Sequence, residues 1–284
     1  MTIILDGDVV SVLYENARAQ ITLHGATVTT WKTNGRERLW LSEDAALDGS
    51  KAIRGGIPVV FPVFGRSDVH SVAALPQHGF ARISTWQLVG ESKLNDGVAV
   101  TLTLSADNLA DESRRQWPFG FHLTYTVSLR NNSMETSLRV ENIGDKPFDF
   151  QALFHSYLHV DDIDQVSIEG LQHCNFYNKI EGAENQGSDE VIRINSPCDR
   201  IYRNVQNEVS LMQDGATMYT VERTGLPDVV VWNPWQSGAQ SISDFAPEDG
   251  YKQMVCIEPG SVSGWSSLNP KSVWTGSQII HAVM

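Results

Sequence analysis

The chain has 284 residues, with 34 acidic against 21 basic side chains, a formal charge of −13 and 41% hydrophobic residues. Those values describe an ordinary folded protein and exclude disordered, collagen-like and coiled-coil classes. The acidic balance argues against nucleic acid or an anionic membrane as partner, since both need a basic surface, but it leaves room for a small anion held by a local positive cluster.

The first residues, Met-Thr-Ile-Ile-Leu-Asp-Gly-Asp, have neither a basic nor an apolar leader, so no signal peptide is expected. No run approaches the ~20 apolar residues of a membrane span. Residues 21–24 and 27–31 read as short strands on either side of Gly25, and a helical turn is plausible at 42–47. Arg54-Gly-Gly-Ile-Pro-Val-Val-Phe-Pro follows. Its paired glycines permit unusual backbone shapes and its prolines stiffen the loop, which could hold the Arg54 guanidinium in place. Arg54 could equally be a surface residue beside a tight turn. Gln77-His78-Gly79-Phe80-Ala81-Arg82 sets an amide, an imidazole and a second guanidinium around another glycine. Two arginines converging on one point would make a phosphate clamp, unless they simply pair with some of the many carboxylates.

Strict alternation then dominates. Residues 98–105, 121–129 and 134–140 read as half-buried strands, with a hairpin at Asn131–Ser133 and a short helical segment near 107–116. Residues 148–160 are the most informative strand. Phe148, Phe150, Ala152, Phe154, Ser156, Leu158 and Val160 share one face; Gln151, His155, Tyr157 and His159 share the other. That polar and aromatic face suits a hydroxylated ligand, although a strand histidine is more often structural. Further strands are read at 165–171, 209–213, 217–223, 228–233, 252–258 and 278–283. The strand at 228–233 ends in Trp232 and Trp235 around Asn-Pro, where indole faces could pack on a sugar ring or simply be buried. The strand at 252–258 ends in Glu258 before Pro-Gly, a carboxylate placed to be a general base or an exposed turn residue. Cys174, Cys198 and Cys256 form neither a disulfide framework nor a zinc motif and fit a reducing cytoplasm. There is no P-loop, nucleophile elbow or HExxH.

No linker interrupts the pattern, so residues 1–284 read as one all-β domain. Antiparallel strands in this number suit a large two-layer sandwich.

Taken in order, Arg54-Gly-Gly-Ile-Pro-Val-Val-Phe-Pro, Pro76-Gln-His-Gly-Phe-Ala-Arg82, Leu153-Phe-His-Ser-Tyr157, Val231-Trp-Asn-Pro-Trp235 and Cys256-Ile-Glu-Pro-Gly260 resemble the glucose-6-phosphate 1-epimerase (hexose-6-phosphate mutarotase) group of the aldose 1-epimerase superfamily. The resemblance implies a galactose-mutarotase-like supersandwich of large antiparallel sheets. It implies interconversion of the α and β anomers of aldohexose 6-phosphates without a cofactor, with His155 and Glu258 as catalytic residues and Arg54, Gln77, His78, Arg82 and Asp199 as substrate-binding ones. Trp232 is expected to bind substrate through its indole face, and the protein is expected to be a cytoplasmic monomer without a metal. On that scheme a protonated His155 donates to the ring oxygen while Glu258 accepts from the C1 hydroxyl. The competing expectations are an epimerase of free sugars, a non-catalytic carbohydrate-binding sandwich, and a polysaccharide lyase or hydrolase with an extended groove.

Overall fold

The computed structural model describes residues 2–283 apart from His70 and Asn207. Among the described residues the strands pair antiparallel in three sheets. An N-terminal sheet of five strands runs Thr2–Asp6, Val9–Tyr14, Ala17–Thr22, Val28–Thr33, Arg36–Glu37. A sheet of eight runs Val166–Glu169, Val209–Gln213, Ala216–Thr224, Val273–Ala282, Ser133–Asn142, Phe121–Arg130, Gly97–Ser105, Gln87–Lys93. The third, which carries the site, runs Ala183–Asn185, Phe176–Asn178, Cys198–Tyr202, Asp228–Asn233, Met254–Leu268, Phe148–Phe154, Val59–Val60, with Tyr157–His159 also pairing with Met254–Leu268.

One hydrophobic core lies between these layers, drawing on residues from Val10 to Ala282. The alternation builds it directly. Phe148, Phe150, Ala152, Phe154, Leu158 and Val160 all enter this core, as their shared parity requires. The opposite face carries two smaller clusters, one around Trp40, Tyr157 and Phe245, the other around Leu153, Val230 and Val262. The galactose-mutarotase-like supersandwich is the fold that forms.

Several local expectations are corrected. Residues 42–47 form turns rather than a helical segment, because the chain is tied to the 244–246 loop through the Ser42 hydroxyl. The 107–116 segment is a 3-10 turn at Ala106–Asn108 followed by a helix, Asp111–Gln116. A second short helix, Trp235–Ser241, stands where only a strand end was read. The 148–160 strand is broken at His155–Ser156, and the strand through Glu258 continues past Pro259 to Leu268.

The last two departures share a cause. Tyr157 pairs with Cys256 and Leu153 with Gly260, which sets Phe154 opposite Pro259. Pro259 has no N–H to give. The Phe154 carbonyl instead accepts from Ser156 N–H at 2.9 Å, a tight local turn that breaks the strand beside His155.

Candidate active site

Strand register assembles the floor of the site. Asp199 pairs with Trp232, Trp232 with Cys256, and Cys256 with Tyr157, which makes one row across four strands. In the neighbouring row Glu258 pairs with Val230, and His155 follows the same register at the strand break. Side chains alternate with period two, so both rows face the same way. His155 and Glu258 thus meet although 103 positions apart in sequence: Nδ1 to Oε1 is 3.2 Å. They are 8% and 1% exposed.

The imidazole is tightly held. Its ring stacks on Tyr157 at 4.6 Å and 10°, meets Trp232 edge-on at 5.8 Å and lies 5.8 Å from the His78 ring. The His155–Glu258 contact is close but misaligned for a hydrogen bond. His155 Nδ1 and both Glu258 oxygens are therefore buried without a hydrogen-bond partner among the described residues, as is Asp199 Oδ1. Unsatisfied buried polar atoms around a cavity are costly unless a ligand's hydroxyls complete them.

Burial dominates the proton affinities. It pushes Glu258 well above its ordinary value, with Asp199 reinforcing the effect and Lys179 opposing it. Burial also pushes His155 well below its ordinary value, and the charges of Arg82 and Arg54 add to that. The expected protonated histidine is therefore not the form the empty pocket favours. Both shifts favour a neutral imidazole beside a protonated carboxyl. Burial likewise keeps the Cys256 and Cys198 thiols protonated, Cys198 being pushed up to about 12. Neither cysteine is an activated nucleophile. His155, Cys256 and Glu258 bring possible ligand atoms within 4.8 Å of one another, the one such cluster found among the described residues.

Loops supply the walls. The backbone turns sharply at His78 and Gly79, with φ of +65° and +72°. A Cβ on Gly79 would sit 2.2 Å from the Phe61 carbonyl oxygen, so only glycine fits. Gly65 N–H donates to His78 Nδ1 at 3.2 Å, while Nε2 lies 3.3 Å from the Gln77 amide. With Nδ1 accepting, the neutral ring carries its proton on Nε2, where it faces the Gln77 amide nitrogen, another donor, and finds no acceptor among the described residues. Burial keeps His78 neutral, its affinity pushed well below the ordinary value.

Arg54 and Arg82 have different partners. Arg54 donates from Nε to Asp244 at 3.1 Å and from Nη1 to the Tyr157 hydroxyl at 3.3 Å. Burial opposes its charge, but Tyr157 and Asp244 outweigh that and Arg54 stays cationic. Lys51 also reaches Asp244, at 3.3 Å. Arg82 donates to the Gln77 carbonyl at 2.8 Å, and its Nε is buried without a partner. Burial pushes Arg82 down to about 10, which leaves it charged at neutral pH. The carboxylate-pairing alternative thus holds for Arg54 and not for Arg82.

Two adjoining cavities result. One of about 230 Å³ is lined by His155, Glu258, His78, Asp199, Trp232 and Lys179, among others. That is below the ~300–1,000 Å³ usual for ligand pockets and suits a single sugar ring, not a polymer groove. A second, of about 480 Å³, carries Lys51, Arg54, Arg66 and Arg82 with Asp244 as its one carboxylate. Arg54 and Gln77 line both.

All eight expected residues therefore line one or other of these cavities. Sequence reading missed Lys179, Asp244, Lys51 and Arg66. Lys179 is paired with Asp199 at 2.9 Å and held over the Phe64 ring. Each lies in a segment without a motif, and only the fold brings it in. Gln151, on the expected face, is spent on structure, accepting from Phe64 N–H and donating to the Val262 and Gly264 carbonyls.

A family model described as aldose 1-epimerase matches residues 9–281. A protein from Cenchrus ciliaris, provisionally named a glucose-6-phosphate 1-epimerase, is 33% identical over 279 residues, 94% of this chain and 82% of its own. One of the same provisional name from Escherichia coli K12 is 34% identical over 260 residues, 90% of this chain and 84% of its own. The crystal structure of a protein from Salmonella typhimurium, provisionally called a mutarotase, superposes with a TM-score of 0.87 at 28% identity, covering 99% of this chain and 93% of that one.

Proposed function

The chain belongs to the aldose 1-epimerase family, and we propose that within it the enzyme interconverts the α and β anomers of aldohexose 6-phosphates, glucose 6-phosphate foremost. One observation carries the choice of a phosphorylated substrate. The sugar-sized cavity opens beside a pocket in which four cations face one carboxylate.

In this reading the 6-phosphate lies among Arg54 and Arg82, with the ring against Trp232 and its hydroxyls on Gln77, His78 and Asp199. Once the pair's proton has passed from Glu258 to His155, Glu258 takes the proton of the C1 hydroxyl as C1=O1 forms. The C1–O5 bond breaks, and O5 takes a proton from His155. The aldehyde turns about C1–C2, and O5–H then adds to its other face while both protons return. Nothing is consumed, so no cofactor is called for. A pair of positioned acid and base groups is typically worth 10²–10⁴-fold, roughly, for each member. Fixing the remote phosphate lets binding energy orient the reacting end while C1 stays free to turn.

The proposal takes residues 1–284 as one domain acting as a cytoplasmic monomer on a small molecule, with neither nucleic acid nor membrane as partner. The single core from Val10 to Ala282 and the three free cysteines support it. Among the described residues no helix is long and apolar enough to cross a membrane. The experiment is anomer exchange by NMR magnetisation transfer on glucose 6-phosphate, with free glucose and galactose as controls. Acceleration confined to the 6-phosphate is the expected result. Equal acceleration of the free sugars would instead favour the free-sugar epimerase, and binding without exchange would favour a carbohydrate-binding module.

A further inference from the structure

We propose that an oxyanion seated in the basic pocket activates the His155–Glu258 pair whether or not that anion is joined to the sugar. The inference rests on the mutarotase reading above and gives the pocket a second role, beyond holding the substrate.

The pocket is built for an oxyanion. Lys51, Arg54, Arg66 and Arg82 face Asp244 alone, and Asp244 is already engaged by Arg54 and Lys51. Arg82 Nε is buried with no partner among the described residues. Guanidinium groups match the oxygens of a phosphate-like anion.

The pocket is also wired to the pair by two contact paths. Arg54 donates to the Tyr157 hydroxyl, and the Tyr157 ring stacks on His155. Arg82 donates to the Gln77 carbonyl, the Gln77 amide meets His78 Nε2, and the His78 ring faces His155. Charge runs the same way. Around the imidazole stand Arg54, Arg82 and Lys179 as cations, Glu258 and Asp199 as acids, and Tyr157, Cys256 and His78 as neutral groups. After burial itself, Arg82 and Arg54 are the largest influences against the imidazolium. An anion between them offsets that opposition. The proton the pair holds can then pass from Glu258 to His155, leaving a carboxylate base and an imidazolium acid as ring opening requires. An unphosphorylated sugar brings no such charge and leaves Arg54 countered by Asp244 alone and Arg82 without a carboxylate partner among the described residues.

The test splits the substrate in two. D-xylose lacks the carbon that bears the phosphate, and phosphite supplies the anion. Anomer exchange of xylose is followed by magnetisation transfer at rising phosphite, after subtraction of the protein-free rate, with glucose 6-phosphate run alongside. The expected result is saturable acceleration of about ten-fold or more, the effect of one unit in proton affinity. Arg82→Ala, shown folded by its circular dichroism, should lose that acceleration. Exchange of glucose 6-phosphate with xylose indifferent to phosphite overturns the inference and leaves the function standing. Acceleration that survives in Arg82→Ala also overturns it. No exchange of glucose 6-phosphate overturns both.

Discussion

Replacing Glu258 by glutamine tests the state of the pair without substrate. Ordinary proton affinities are 4.5 for Glu258 and 6.5 for His155; folding raises the first and lowers the second. The unfolded chain therefore carries two protons on these groups below ~4.5, one between ~4.5 and ~6.5, and none above ~6.5. With Glu258 raised and His155 lowered, the folded pair is expected to hold one proton across that span. Stability follows the difference in bound protons. From this pair it is lost as pH falls below ~4.5, flat across the middle, and lost again as pH rises above ~6.5. The upper loss approaches about 1.4 kcal/mol per pH unit until the folded pair releases its proton. Glu258→Gln leaves only a neutral His155, whose contribution is flat above ~6.5. Chemical denaturation of both proteins between pH ~6.5 and ~8.5 should show the variant gaining on the wild type with every unit. Groups common to both proteins cancel in that difference. Parallel curves would refute the shared proton, and with it the order of affinities argued from burial.

His155→Ala should cut turnover of glucose 6-phosphate by roughly 10²–10⁴-fold, read from exchange rates at saturating substrate. Arg82→Ala should raise KM for glucose 6-phosphate by roughly ten- to a hundred-fold for a lost charged hydrogen bond, and should not raise KM for a free sugar. Asp244→Asn should raise KM several-fold, because Arg54 loses the carboxylate that aims its guanidinium; an unchanged KM would make Asp244 a bystander. Salt should weaken binding of the 6-phosphate, and Arg82→Ala should make the fall less steep; equal slopes in a KM titration against ionic strength would count against the clamp.

The sheets were legible because alternation is a local signal, and the core face of 148–160 follows from parity alone. The site was legible only in part. His155 and Glu258 stood out as unusual residues, but nothing local joins positions so distant; register does. Glu258 read as a strand exit because Pro-Gly ordinarily ends a strand. It lies within a fifteen-residue strand because the turn at Ser156 satisfies the carbonyl that Pro259 cannot. Asp244 was invisible for a related reason: its loop is placed by Ser42, some two hundred residues earlier in the chain. The burial and the arginines that lower the proton affinity of His155 could not be read from its sequence neighbours.

The site divides its tasks between two kinds of structure. Glu258 sits within a strand and His155 in the two-residue break between two strands that pair with it, so their separation follows sheet register. The four cations of the neighbouring pocket all come from one stretch of chain, residues 51–82, which runs largely as loop. Loops change sequence and length at little cost to the sheets beneath them. On the proposed function, acid–base chemistry would stay with the sheet while the choice of a phosphorylated sugar would rest on that single segment. Arg54 is where the two parts join, since it lines both cavities and touches both the anion pocket's carboxylate and the tyrosine beneath His155. A change of substrate charge should therefore be felt at the reacting pair through Arg54 before any strand moves.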